Sequence, residues 1–505
     1  MSGNRCAGVT QIPAGRADLF REHGGLTPTA LCRARGGGMN LSQEVWITGV
    51  GLASPLGCDL GQFTDSLLQG RCGIRRVSKM PIAGHPSQIA AELLDIPRPS
   101  AIDMEEWQRL APLEQLALWC AVQALCQADL WDKRDVLRIG LVLGLGAEWP
   151  YFWERHWFAG HSAAENSPTG DWRPPFSSGM ASRDNGSVGD GINAPRAWSA
   201  SSGHGSGSEP ALRDKEAPRP EETASDATAV PAEPLVQRLA RRLGLRGPTL
   251  TIAAACASGN YALGLARNWI RSRRLDVCLA GACDLPVTPL ALACFGNLRA
   301  LSRRNDQPQA ACRPFDRQRD GFVMGEGGAV FVLESAQHAH RRQAQPLAAI
   351  IGFGATSDAS HLVIPNSDPG PAAQAMRRAL ADAQIAPDEL DYLNAHAPGT
   401  PVGDRYESRV IHLALGEAAS RIPVSSTKSM TGHAVTAASA LEAAACIGAL
   451  QRQTIPPTIN LDEPDPECAL CHVPHQSRPA TLRIVASNSF GFGGANTMLI
   501  LRRIA

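Results

Sequence analysis

The chain carries the same order of elements twice, and that repeat limits what it can become. Ile47-Thr-Gly-Val-Gly-Leu-Ala-Ser54 is echoed by Ile350-Ile-Gly-Phe-Gly-Ala-Thr-Ser357. A strand ending in a bend of small residues follows each copy, at 137–146 and at 391–400. A strand feeding an Ala-rich helix comes next, at 249–266 and at 422–445. Repeated order of this kind marks a chain built from two similar halves, about 40–285 and 340–505, bridged by a motif-rich segment. Apolar runs predict strands at 44–49, 137–144, 249–255, 276–281, 328–333, 348–353, 391–395, 422–426, 483–487 and 496–502. Helical periodicity fits 61–69, 111–127, 259–272, 371–384, 404–416 and 436–451. In 259–272, Ala262, Leu265, Ala266, Trp269 and Ile270 share one face. Strands alternating with helices give a layered α/β fold.

Composition narrows the function classes. The 505 residues hold 48 basic and 48 acidic side chains, which argues against non-specific nucleic-acid binding, a property that rests on excess positive charge. No run of apolar residues is long enough for a membrane span. Fourteen cysteines are scattered without framework spacing, so free thiols in a reducing, cytoplasmic setting are expected. Two segments depart from the neutral average. Residues 1–38 are basic and acid-poor, either a targeting peptide or an extension upstream of a true start at Met39. Residues 160–231 are rich in Gly, Ser and Pro and almost free of Ile, Leu and Val, a composition that reads as a flexible insert. The expected division is therefore an extension at 1–38, a first half at 39–290 carrying that insert, and a second half at 291–505.

Chemistry concentrates at the strand ends. Leu250-Thr-Ile-Ala-Ala-Ala-Cys256-Ala-Ser-Gly-Asn260 runs a strand into a cysteine and then into a helix. A thiol at a helix N-terminus meets unpaired N–H groups that favour thiolate. Small neighbours permit a tight, strained turn and leave room for substrate. Asn394-Ala-His396-Ala-Pro-Gly-Thr400-Pro-Val-Gly-Asp404 places a histidine at a strand end. Ser425-Ser-Thr-Lys428-Ser-Met-Thr-Gly-His433 supplies a lysine and a second histidine. Ser487-Asn-Ser-Phe490-Gly-Phe492-Gly-Gly-Ala-Asn496 is a glycine-rich turn suited to close ligand approach. The other histidines read as structural, as do the thirteen other cysteines.

Together with Arg313-Pro-Phe-Asp-Arg-Gln-Arg-Asp-Gly-Phe-Val-Met-Gly-Glu-Gly327, these motifs resemble the β-ketoacyl-[acyl-carrier-protein] synthases of the thiolase superfamily, the elongating Cys-His-His type. The resemblance spans about 44–145 and 240–505. It implies a thiolase-like α/β fold, two similar halves forming a five-layered α-β-α-β-α core. It implies an acyltransferase in which Cys256 accepts an acyl group, with the N–H groups of Cys256 and Phe492 as oxyanion hole. His396 and His433 would stabilise the enolate left by decarboxylation of a malonyl thioester, oriented by Lys428. Asp404, Glu407 and Glu442 would support them, Phe492 would gate the thiol, and Thr400 would hold the carrier's phosphopantetheine arm. The implied partners are an acyl carrier protein and a second subunit, identical or related; no cofactor or metal is implied.

The chain departs from the family at Pro398, where a second arm-binding threonine is usual, and after Gly144-Leu-Gly146, where the insert replaces the segment leading to the acyl pocket. In Gly-His433-Ala-Val-Thr-Ala-Ala-Ser, small residues replace the usual glycines. Cys468-Ala-Leu-Cys471-His472 matches a haem-attachment pattern, and Ser-Thr-Lys428-Ser a pyridoxal-phosphate lysine; both read as coincidences of ordinary synthase motifs. The competing class is a non-catalytic partner subunit acting like a chain-length factor, against which Cys256 and both histidines argue. A degradative thiolase fits less well, because it lacks the spacing of Lys428 and His433.

Overall fold

The computed structural model describes residues 44–146 and 233–504, so the expectations for 1–38 and 160–231 lie outside the described residues. The strands of the main sheet are β1 (Val45–Ala53), β2 (Ile139–Leu145), β3 (Thr249–Ile252), β4 (Val277–Asp284), β5 (Gly327–Ser335), β6 (Ala348–Ser357), β7 (Tyr392–Asn394), β8 (Pro423–Ser425), β9 (Cys471–His472), β10 (Ile484–Gly491) and β11 (Ala495–Arg502). They lie in the order β9-β8-β7-β10-β11-β6-β1-β5-β4-β2-β3. The halves meet where β1 pairs with β6, Trp46 opposite Ala349 and Ile47 opposite Ala348.

Outward from that seam both halves are built alike. Each lays down its first, fifth, fourth, second and third strand in turn. Each pairs them antiparallel twice and then parallel twice. β9 is an added edge strand on the second half. Because β5 sits between β1 and β4, the first half runs on through Ser335. The division expected at residue 290 therefore falls too early: the motif-rich segment belongs to the first half.

The main helices are α1 (Leu60–Leu68), α2 (Pro112–Gln127), α3 (Ser258–Arg271), α4 (Gly370–Ala383), α5 (Pro401–Leu415) and α6 (Ala438–Arg452). α3 packs on β2 and β4 of one half and on β6 and β11 of the other, while α6 bridges β10 and β11 to β4 and β5. Their shared core mixes side chains of both half-sheets. α2 and the helix Leu235–Arg242 cover the outer face of the first half. α4 and α5 cover that of the second. The layers read helix, sheet, helix, sheet, helix, as expected. α6 is buried on all sides from Ala438 to Leu450, which explains its lack of a polar face.

The repeated Gly-x-Gly has a packing cause. A Cβ on Gly49 or Gly51 would lie 2.1 Å from the Ala124 carbonyl oxygen or 1.9 Å from that of Cys120, both on α2. On Gly352 or Gly354 it would lie 2.4 Å from Ala379 O or 2.0 Å from Ala375 O, both on α4. In both halves a helix rests directly on strand backbone, a closeness that only glycine allows. The turns that follow β3, β7 and β8, and the β10–β11 hairpin, all open toward one place.

Candidate active site

That place is a cavity of about 430 Å³ whose lining includes Cys256, His396 and His433. Cys256 occupies a single 3₁₀ turn, Ala255–Ala257, between β3 and α3. Ala255 adopts φ 46°, a left-handed backbone, so the turn carries strain. The second half repeats it: Val435–Ala437 leads into α6 with Val435 at φ 42°, costlier still for a β-branched residue. Thr436 stands there where Cys256 stands in the first half, its N–H donating to the Asp284 carboxylate at 3.0 Å. The two turns brace each other, with Asn260 N donating to Ser439 Oγ at 3.1 Å.

One reactive atom of each of Cys256, His396 and His433 lies within 4.8 Å of the others. All three residues are buried. The imidazoles meet edge to face, with ring centroids 5.4 Å apart. Burial pushes the Cys256 thiol up to about 12, with Lys428 and the backbone N–H groups of Phe492 and Cys256 pulling the other way. Those two N–H groups are the pair expected at the oxyanion hole. Both imidazoles are held well below their ordinary value, first by burial and then by the Lys428 charge. The cluster is therefore a neutral thiol beside two neutral imidazoles. Its spacing would also suit a metal ion, but the Lys428 charge beside it opposes a bound cation.

Lys428 is buried just beyond β8, as the first residue of the short helix Lys428–Thr431. Its ammonium donates to a Glu442 carboxylate oxygen and to the His396 carbonyl, and stands 3.3 Å from His396 Nδ1. An ammonium has donors only, so Nδ1 must accept and the neutral ring carries its proton on Nε2. Glu442, on α6, is raised to about 7 by burial, against the pull of Lys428.

Two carboxylates of α5 hold the His396 loop by its backbone. Glu407 accepts from the N–H of His396 at 2.9 Å and of Ala397 at 2.6 Å, and from Asn488 Nδ2 at 2.8 Å. Asp404 accepts from Gly399 and Thr400, both at 3.1 Å, and from Phe315 N at 2.8 Å, facing Arg319 at 3.6 Å. Burial raises both acids, Asp404 to about 7. They collect the N–H of every residue from 396 to 400 except 398. Proline at that position therefore leaves no hydrogen bond unmade.

Thr400 and Phe492 line the cavity, so every expected residue lies in it or directly behind it. Thr400 Oγ also caps α5, accepting from Gly403 N at 3.1 Å. The glycine-rich turn places Gly493 and Gly494 at φ 82° and 81°. It is tied to a neighbouring loop, with Asp358 N donating to Gly494 O at 2.8 Å and Gly493 N to Leu362 O at 2.7 Å. Asp358 accepts from Asn496 Nδ2 at 2.6 Å.

Sequence reading missed Asp358, His361 and Phe322, all cavity residues. From sequence alone His361 reads as one of the structural histidines. A strand end followed by Asp358-Ala-Ser-His361, at the edge of a repeated motif, was the signal available. His472, of the haem-like pattern, sits elsewhere: its Nε2 lies 2.7 Å from the Cys468 carbonyl oxygen and its ring packs on Phe315.

Residues 42–189 and 179–339 match the family model of the β-ketoacyl synthase N-terminal domain, and 347–462 that of the C-terminal domain. The 3-oxoacyl-[acyl-carrier-protein] synthase 2 of Coxiella burnetii is 34% identical over 463 residues, 92% of this chain and 99% of that one. A putative polyketide beta-ketoacyl synthase 1 of Streptomyces halstedii is 36% identical over 462 residues, covering 91% and 98%. Among solved structures, a chain from a type II polyketide acyl-carrier protein in complex with its ketosynthase superposes with a TM-score of 0.73 at 28% identity, covering 92% of this chain and 100% of that one. With both domain models matched in order around one Cys-His-His cluster, the chain belongs to the β-ketoacyl synthase family.

Proposed function

We propose that the chain is a 3-oxoacyl-[acyl-carrier-protein] synthase acting in fatty acid or polyketide-type biosynthesis. The observation that carries this reading is the convergence of one thiol and two imidazoles within 4.8 Å in one cavity. Cys256 Sγ attacks the carbonyl of an acyl thioester. The bond to the carrier's arm breaks, and the arm leaves as a thiol with the proton that Cys256 gives up. Thiolate is not the resting form, so Lys428, the helix terminus and the N–H groups of Cys256 and Phe492 act on charge as it develops.

A malonyl thioester then enters. Each neutral imidazole offers one N–H donor, and for His396 that donor is Nε2. Donation from both to the thioester oxygen stabilises the enolate formed as carbon dioxide departs. The enolate carbon attacks the acyl group on Cys256, whose sulfur leaves and regains a proton. The product is a 3-oxoacyl chain two carbons longer. Atoms and electrons balance without a metal, nucleotide or redox cofactor, and none is proposed. The partners are an acyl carrier protein and a second subunit, identical or related. Twelve described cysteines are all free, in keeping with a cytoplasmic setting. No helix among the described residues is long and apolar enough to cross a membrane.

Intact-mass measurement after incubation with acyl-carrier thioesters tests this. The native protein should gain one acyl group and Cys256→Ala none. A native protein that stays unacylated would favour a non-catalytic partner subunit, and acylation that survives Cys256→Ala would remove Cys256 from its role.

A further inference from the structure

Buried hydroxyls are nearly always hydrogen-bonded, and one that is not needs a reason. Of the residues lining the Cys256 cavity, only Thr400 and Tyr406 carry a hydroxyl. Thr400 Oγ caps α5, accepting from Gly403 N at 3.1 Å. Tyr406, further along α5, is 5% exposed, and its Oη is buried with no partner among the described residues. Apart from His433 Nδ1 of the reacting cluster, it is the one buried side-chain polar atom of the lining left in that state. The phenol is firmly placed. Its neighbours Asp404 and Glu407 hold the backbone of the His396 loop, which fixes α5 against the site. The Tyr406 ring packs edge to face on Phe490 with centroids 5.9 Å apart, and Phe490 packs in the same way on His396 at 5.9 Å. Burial, and then the carboxylates of Asp358 and Asp368, raise the phenol, so it keeps its proton and offers a donor.

We propose that Tyr406 is a substrate-binding residue of this cavity, its hydroxyl donating to an amide carbonyl of the phosphopantetheine arm. This rests on the reading of the cavity as a synthase site. The resemblance gives the arm two threonines, of which Pro398 leaves only Thr400, and it assigns nothing to position 406. The arm enters a cavity lined mainly by apolar side chains, where an amide carbonyl stripped of water and given no donor is strongly disfavoured. A buried hydroxyl without an acceptor and an incoming carbonyl without a donor each supply what the other lacks. An alkyl acyl chain could use neither. Tyr406 thus returns, from α5, a hydroxyl that the His396 loop does without.

The test compares octanoyl-pantetheine, which carries the arm's amides, with S-ethyl octanethioate, which has none. Rates of Cys256 acylation are read by intact mass for the native chain and for Tyr406→Phe, which keeps the ring and its contact with Phe490. The native preference for the pantetheine thioester should fall about fivefold in the variant, the scale of one hydrogen bond. The loss should lie in the half-saturating concentration and not in the rate at saturation, as for a contact made equally in the ground and transition states. The free protein loses no hydrogen bond in this exchange, so the melting midpoint of Tyr406→Phe should be no lower than the native one. Equal losses on both thioesters, no native preference, a preference that survives the substitution, or a midpoint lowered by several degrees would overturn the proposal. A native chain acylated by neither thioester would instead bring down the synthase reading. Pantetheine binding by Cys256→Ala and by Cys256→Ala/Tyr406→Phe, followed by ligand-observed NMR, then decides the role of Tyr406 without acylation. The Kd should rise about fivefold in the double variant, and equal values would remove Tyr406 from the site.

Discussion

Lys428 and Glu442 form a buried ion pair that faces the reaction from behind. Desolvation makes such a pair expensive, and its value here lies in what it does to its neighbours. The ammonium adds to burial in keeping both imidazoles neutral and fixes the His396 proton on Nε2; the carboxylate holds the ammonium. The arrangement has a pH signature. Glu442 rises from 4.5 to about 7 on folding, so the folded state binds its proton more tightly than the unfolded chain does. Its contribution is complete below 4.5 and is lost as pH rises through about 7. The histidines act in the opposite sense, their contribution present above 6.5 and lost as pH falls. Glu442→Gln should therefore flatten the fall in unfolding midpoint between 4.5 and about 7. A variant with the slope of the native protein in thermal melts over that range would contradict this assignment. Pro398 is the companion case: an unusual residue at the one place in its loop where no donor is required.

At the scale of elements, the Gly-x-Gly motif is a packing device shared by both halves. Gly354→Ala would set a methyl 2.0 Å from the Ala375 carbonyl oxygen, with backbone on both sides. It should cost about 3 kcal/mol by urea unfolding, at the upper end for overpacking. Gly296→Ala, whose new Cβ finds nothing nearer than Pro86 Cδ at 3.9 Å, should change stability by less than about 1 kcal/mol. Equal effects from the two would remove the packing explanation. The strands and helices of the repeat were legible because each pairs a clear period with small-residue punctuation. β6 was expected to stop at 353 but runs to Ser357, since its end is held by β11, and pairing of that range has no local signature. The helix Pro289–Asn297 was missed because Pro289-Leu-Ala-Leu-Ala-Cys-Phe295 lacks a polar face to set a period. Local motifs exposed Cys256, His396, Lys428 and His433. Phe322 enters the cavity through its pairing with Leu301, which no local pattern encodes.

For the whole molecule, β3 ends the sheet with one edge unpaired by any other described strand. It exposes Leu250, 37% accessible, at its centre. An apolar free edge is a template for pairing with a second chain. If the proposed second subunit pairs on this edge, Leu250→Glu should lower the assembly mass in analytical ultracentrifugation, and an unchanged mass would assign the subunit contact elsewhere. The braced turns carry a consequence for how the chain is made. Cys256 is synthesised in the first half, yet its enclosure is built by the second: Ser439 against Asn260, and Ser489 Oγ donating to the Cys256 carbonyl from 233 residues further along. On the ribosome, the Cys256 thiol therefore lacks that enclosure for much of translation. Its enclosure is complete only once the β10–β11 hairpin has been made, so the site is finished by a late-made element and not by degrees.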